Sequence, residues 1–307
     1  MPLSKRSPNR TLGFAACAAA SAFWGCGFFF GKIALDEMNV GAMVLYRFLF
    51  AAIALLPFLV THRPRLNAKE WRLLLFGSFM GVPLQFILQF KGLSLTTVSH
   101  AALMVGTMPV ILAVGATIFA HERLHTLGWV TLLISTAGAA LIVLGGSRHA
   151  TGGGPSLSGD LLVVLSMLIA LFWILVNKSL VRNHSAVVVT AYGILAGTLM
   201  LIVYVPFAYG MPPVHGISWK AWAASIASGI LCTATTTLLW NWGMTQVPAS
   251  QAGVLLNMEP LLGSLLGVLV LHDRLGPTAY IGGAMIVGAA LLLTTRSSAQ
   301  SVHPAAV

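Results

Sequence analysis

A chain of 307 residues that is 57% hydrophobic and 8% charged, with a mean hydropathy of +0.89, is poorly suited to water as its solvent; an ordinary soluble domain carries about 25% charged residues. The net charge of +10 is scattered over short links between apolar runs, which fits orientation in a lipid bilayer by basic loops rather than a nucleic-acid partner. Runs of roughly 20 apolar residues call for spanning helices. Backbone groups in hydrocarbon must be satisfied within a helix or a closed barrel, and these runs lack the alternation of barrel strands.

In chain order, MPLSKRSPNR precedes an apolar run that continues through Phe30. That run is too long for a cleaved signal peptide, so residues 1–11 read as a cytoplasmic tail before a retained helix. Helices are expected at 12–31, 41–59, 73–90, 99–120 and 127–144, then at 161–176, 186–208, 222–240, 252–271 and 278–294. The chain thus divides into a first unit at 12–146, a Gly/Ser-rich linker at 147–160, a second unit at 161–295 and a C-terminal tail at 296–307. Cys17, Cys26 and Cys232 all fall inside apolar runs, without metal-ligand spacing or a disulfide framework, and read as small packing residues. No metal or cofactor is expected.

The two units repeat one another. PVILAVGATIFAHERL at 109–124 returns as PLLGSLLGVLVLHDRL at 260–275, an offset of 151 (260 − 109) that also pairs Trp71 with Trp222, Gly92 with Gly243 and Ser99 with Ser250. Nearer the start of each unit the offset is 149, pairing Phe23-Trp24 with Phe172-Trp173 and Pro57 with Pro206. Five helices per unit is an odd number, so the second unit enters the bilayer upside down, an inverted repeat. With a cytoplasmic N-terminus, the inner links hold Lys5, Arg6, Arg10, Arg63, Arg65, Lys69, Arg72, Arg123, Lys178, Arg182 and Arg296. The outer links hold only Lys32, Lys91, Arg148, Lys220 and Arg274, which favours both termini in the cytoplasm.

The FW pair within each first helix, the proline-led Glu/Asp-Arg-Leu ending of each fourth helix and the five-plus-five count resemble the EamA family of the drug/metabolite transporter superfamily. The resemblance covers residues 11–295. It implies an all-α polytopic membrane protein of ten transmembrane helices in two inverted five-helix repeats. It also implies a central cavity lined mainly by the first, third, fourth, sixth, eighth and ninth helices, with the fifth and tenth lying away from it. The substrate is not implied, because relatives carry amino acids, drugs, sugar nucleotides and phosphorylated sugars.

Charges within a bilayer are costly and point to function. Arg47 and Glu259 are the clear cases, and each occurs in one unit only: Arg47 aligns with Ala196, and Glu259 with Met108. Their expected depths differ by about 10 Å, which leaves a direct ion pair open. Glu259 is the candidate for contacting a substrate ammonium or carrying a proton, against a structural role at the Pro260 kink. Arg47 is read as a gating or structural charge. Trp24 and Trp173 would face one cavity from equivalent positions, or else pack between helices. Gln85 and Gln89, four residues apart on one helix face, join His100, Thr107, Asn177, Asn241 and Asn257 as uncharged polar candidates for that cavity. Each of these could equally be an interhelical hydrogen bond. Pro83, Pro109 and Pro260 are expected to kink their helices. Gly27/Gly31, Gly77/Gly81, Gly193/Gly197 and Gly263/Gly267 have the spacing of close helix approach. Glu122 and Asp273 read as helix caps.

The leading expectation is a secondary exporter of small metabolites, such as amino acids or amphipathic drugs, working by alternating access. The chain carries no phosphate-binding loop for a nucleotide drive. A sugar-nucleotide or phosphorylated-sugar exchanger is the alternative, although it would want more cations within the spans. An intramembrane enzyme would need a paired catalytic set that the sequence lacks; a non-transporting scaffold is the remaining class. The expected partners are a small-molecule substrate and the lipid bilayer, in the plasma (inner) membrane if the source is bacterial. The sequence leaves monomer and homodimer open.

Overall fold

The computed structural model describes residues 9–62, 64–95, 104–119, 121, 124–145, 157–259, 261–262 and 277–300, and among these every regular element is helical. In chain order the helices are α1 (Arg10–Leu35), α2 (Val40–Thr61), α3 (Ala68–Leu95), α4 (Met108–Phe119) and α5 (Thr126–Gly145). They continue with α6 (Leu157–Val181), α7 (Ala186–Tyr209), α8 (Trp219–Gln246), α9 (Ala249–Leu255) and α10 (Pro277–Gln300). Six of them, α1, α2, α3, α6, α7 and α8, are long and apolar enough to cross a membrane. Shorter apolar stretches cover Met108–Phe119, Thr126–Leu141 and Tyr280–Leu293. The protein is an integral membrane protein whose outer surface is apolar; Phe207, for example, is 94% exposed.

Several helices run past their apolar cores because polar residues cap them. The side chains of Asn9, Asn39, Asn67, Ser185 and Ser218 each accept a backbone N–H of the turn they start, and Asn67 forms a reciprocal capping box with Glu70. Lys32, Lys91 and Lys178, expected in links, sit within helices that run past their expected C-terminal ends. Lys178 Nζ donates to the carbonyls of Met244 (3.1 Å) and Val247 (2.8 Å), a cation satisfying the C-terminal end of α8.

The main packing partners cross between the two units: α1 lies along α8, α3 along α6, α2 along α7, α4 along α9 and α5 along α10. Exchanging the units leaves this set of pairs unchanged. Small residues allow the approach. A methyl group at Gly81 would fall 2.1 Å from the Trp173 ring, one at Gly197 would meet Val82, and one at Gly31 would meet Met43 and Phe90. Gly263 and Gly267 lie outside the described residues, as do Glu122 and Asp273. Buried hydroxyls such as Ser21, Ser78 and Thr198 turn back to carbonyls of their own helices.

Two helices depart from α geometry at matching places. In α3 the stretch Met80–Leu84 forms a π turn, and the Gln85 N–H reaches back five residues to the Met80 carbonyl. In α8 the stretch Ile230–Thr235 does the same, with the Thr236 N–H bonding the Leu231 carbonyl. Pro83 lies in the first of these turns, so the expected kink takes this form; the second contains no proline and has no counterpart among the expected kinks. Pro109 follows a tight turn in which the N–H groups of Val110 and Ile111 both bond the Thr107 carbonyl, at 3.1 and 3.0 Å. A similar turn at Leu256–Asn257 ends α9 just ahead of Pro260, which is itself outside the described residues.

Candidate functional site

Arg47 sits in the first half of α2, 3% exposed, in a helix with no other charge. Its guanidinium crosses to α8. Nε donates to Thr233 Oγ1 at 2.7 Å and Nη2 to the Cys232 carbonyl at 2.9 Å. The same group lies over the rings of Phe86 and Phe90 from α3, 4.9 and 5.9 Å from their centroids. Gly27 of α1 makes room, since a methyl group there would be 3.5 Å from Nη1. The charge is thus held by dipoles and aromatic faces, with no carboxylate bonded to it among the described residues.

Glu259 follows the Leu256–Asn257 turn, and α1 presses against it. A methyl group on Gly25 would lie 2.3 Å from the Glu259 carbonyl oxygen. Arg47 and Glu259 line one cleft, yet neither is bonded to the other. In this conformation the two charges share a cavity, and no ion pair joins them among the described residues.

The cleft has a volume of about 70 Å³. That is room for roughly five waters at 10–15 Å³ each, so this conformation is nearly closed. Trp24 and Gly27 of α1, Gln85, Phe86, Gln89 and Phe90 of α3, Met108 of α4 and Trp173 of α6 complete the part of the wall that matters here. Equivalent residues meet across it: Trp24 faces the same space as Trp173, and Met108 the same space as Glu259. The Trp24 ring also packs on Trp240, with centroids 5.3 Å apart. Gln85 and Gln89 are 6% and 7% exposed, and Gln85 Oε1 is buried without a hydrogen-bond partner.

One expectation about the wall is corrected. α8 adds no side chain to it, and α2 takes its place, because Arg47 reaches across and covers the α8 π turn from the cleft side. Other polar candidates are drawn into the protein framework. Asn241 Nδ2 donates to Thr190 Oγ1 of α7 at 2.9 Å, and Asn257 Nδ2 to Ser135 Oγ of α5 at 2.8 Å. Thr107 Oγ1 donates to the Met104 carbonyl at 2.6 Å. Asn177 is buried one turn beyond Trp173, off the cleft wall. His100 lies outside the described residues.

Two polar clasps had not been expected. At one end of the bundle the Glu37 carboxylate accepts from Ser218 N–H and Ser218 O–H, both at 2.6 Å, and these bonds hold its carboxyl below the usual carboxylate range. At another, His184 Nε2 lies 2.8 Å from Glu70 Oε1. Ser218 and Asn67, the caps beside these clasps, are 151 positions apart (218 − 67). That spacing was the available signal.

Known proteins match this architecture. A model of the EamA-like transporter family fits residues 11–144 and again 157–295. The chain is 24% identical over 301 residues to the uncharacterized transporter YetK of Bacillus subtilis, covering 95% of this chain and 90% of that protein. It is 26% identical over 278 residues to an uncharacterized transporter of Archaeoglobus fulgidus, covering 89% and 94%. It is also 24% identical over 270 residues to a biotin transporter of Escherichia coli, covering 87% and 88%. A solved crystal structure superposes with a TM-score of 0.77 at 19% identity over 94% of this chain and 98% of the other, a likeness of fold. With two tandem matches to one family over nearly its whole length, the chain belongs to the EamA-like transporter family and is a membrane transporter, not an enzyme.

Proposed function

We propose that the chain is a secondary exporter of small metabolites, amino acids or amphipathic drugs among them, working by alternating access of two inverted halves. In this reading the halves are residues 12–146 and 161–295, joined by the linker 147–160, with ten spans and both termini in the cytoplasm. The protein sits in the plasma membrane if its source is bacterial. The observation that carries the reading is the cleft itself: two opposite charges, each present in one half only, share it without pairing, between tryptophans from equivalent positions. Glu259 is left free to meet a substrate ammonium or a proton. Trp24 and Trp173 supply flat apolar walls suited to amphipathic or aromatic groups.

An exchanger of sugar nucleotides or phosphorylated sugars would need several cations at the cleft. Arg47 is the single cation on the described wall, and its donors are already turned to α8. This weighs for the metabolite reading.

Counterflow in proteoliposomes tests it, with a panel of amino acids, aromatic cations, sugar nucleotides and biotin, the last because of the name one relative carries. Saturable flux of an amino acid or an aromatic cation, reduced about tenfold or more by Glu259→Gln, is the expected result. Flux confined to sugar nucleotides would overturn the reading in favour of the exchanger, and equal flux in wild type and Glu259→Gln would remove the role given to that carboxylate. A protein that moves nothing in the panel would overturn the substrate class proposed here and leave the family assignment standing.

A further inference from the structure

The π turns of α3 and α8 occupy the same place in the repeat. Gln85 and Thr236, which close them, are 151 positions apart (236 − 85), as are Met80 and Leu231, which accept the closing bonds. A π turn is wider than an α turn and is a natural place for a helix to bend. Equivalent turns in the two halves would make two equal hinges, but their surroundings differ.

We propose that Arg47 clamps the α8 turn, so that the two hinges are unequal and α3 is the helix that bends while the clamp is in place. The α8 turn is bridged by a continuous run of hydrogen bonds. Arg47 Nε donates to Thr233 Oγ1, Thr233 Oγ1 donates to the Ser228 carbonyl at 3.0 Å, and Arg47 Nη2 donates to the Cys232 carbonyl. Three bonds therefore span the widened turn and tie it to α2. Changing its geometry requires a buried guanidinium to give up its acceptors, which is costly.

The repeat removes every part of this device from α3. The positions equivalent to Thr233, Ser228 and Arg47 are Val82, Gly77 and Ala196, none of which has a polar side chain. Pro83 takes away one N–H from the turn. Two further observations mark the α3 turn as the looser one. Gln85 Oε1, at the closing residue, is buried with no partner. On the opposite face, α3 and α7 leave an apolar groove of about 820 Å³ against the turn, walled by Phe79, Pro83 and Ile87 on one side and Ala196 and Val203 on the other. The far half of α3, which carries Gln85, Phe86, Gln89 and Phe90 of the cleft wall, has space to move into. The two ring contacts of Arg47, the Phe48 ring on Phe86 and the packing of α3 on α6 are what that movement has to loosen.

The consequence is an ordered cycle. The cleft opens first by α3 moving away from a fixed α8, and opening on the α8 side waits until the guanidinium is drawn off by a competing carboxylate within the cleft.

Hydrogen exchange on the full chain in lipid nanodiscs tests the clamp without any knowledge of the substrate, so its failure is distinct from failure of the transport reading. Amides at 230–236 should exchange about tenfold more slowly than those at 80–86. Arg47→Met should raise the rate at 230–236 by about tenfold and leave 80–86 within about threefold of wild type. Thr233→Val keeps the charge and breaks the bridge, so it should give a smaller rise at the same segment; it also serves where Arg47→Met does not fold. Equal rates at the two turns in wild type, or an α8 turn that stays slow in Thr233→Val and in whichever Arg47 variant folds, would overturn the proposal.

Discussion

The central cleft and the groove between α3 and α7 lie on opposite sides of the same helix, and they invert the usual relation between size and function. The groove is more than ten times larger, about 820 Å³ against about 70 Å³, yet its wall of Leu, Phe, Ile, Val and Met side chains is what lipid tails would meet anywhere on this surface. The cleft holds a guanidinium, a carboxylate and two amides. In water the largest apolar hollow is the natural candidate for a ligand. In a bilayer an apolar hollow already has a matching solvent, and the informative feature is charge kept where charge is costly. The small cavity is therefore the one that we propose as functional.

That contrast can be attacked from either side. The largest effect is expected from Gly25→Val, which places a branched side chain where even a methyl group would touch the Glu259 carbonyl. It should cost about 1–3 kcal/mol of stability and remove transport, read by thermal denaturation and proteoliposome flux; a variant with normal flux would show that α1 need not approach α9 closely. Gln85→Leu makes one part of the cleft resemble the groove. Because the amide oxygen it deletes has no partner, stability should be unchanged or rise by about 1 kcal/mol, while flux falls several-fold; a loss of both together would mean that the amide is structural. A smaller effect is expected at the Glu37–Ser218 clasp, outside both cavities. Its folded carboxyl is held below the ordinary value of 4.5, so its stabilisation is present above that value and is lost as the pH falls through the lowered one. The thermal midpoint of wild type should exceed that of Glu37→Gln near neutral pH, with the gap closing below about pH 4; a gap independent of pH would remove the charge from the explanation. The smallest effect belongs to Val203→Ala in the groove, 75% exposed to the lipid side. It should change stability by less than about 0.5 kcal/mol and leave flux unaltered.

Much of this arrangement can be read in the sequence, and the exceptions share a physical cause. Arg47 and Glu259 stand out because charge is rare in apolar runs, and the repeat shows that neither has a counterpart. Trp24 and Trp173 are visible through the same duplication. Asn241, Asn257 and Thr107 are a different case: a neutral polar group in a helix finds its partner on a neighbouring helix or on its own backbone as readily as in a cavity, and polarity alone does not say which. The helix boundaries ran longer than the hydropathy suggested because caps such as Asn67 and Ser218 extend a helix beyond its apolar length. The α8 π turn carries no proline to announce it. Only its register with Pro83 in α3 (234 − 83 = 151, with Ala234 at the matching place) could have marked it.

The joining of the two halves into one chain has a chemical consequence for the cleft. Two separate copies of a single five-helix chain, meeting about a two-fold axis, present every side chain twice. Such a pair could offer the shared space two guanidiniums or none, and two carboxylates or none. Covalent fusion frees position 47 from position 196, and position 259 from position 108. One cation can then oppose one anion around an electrically balanced centre, and the two walls can differ in stiffness. A symmetric dimer cannot be polar along the line joining its halves; this chain can be.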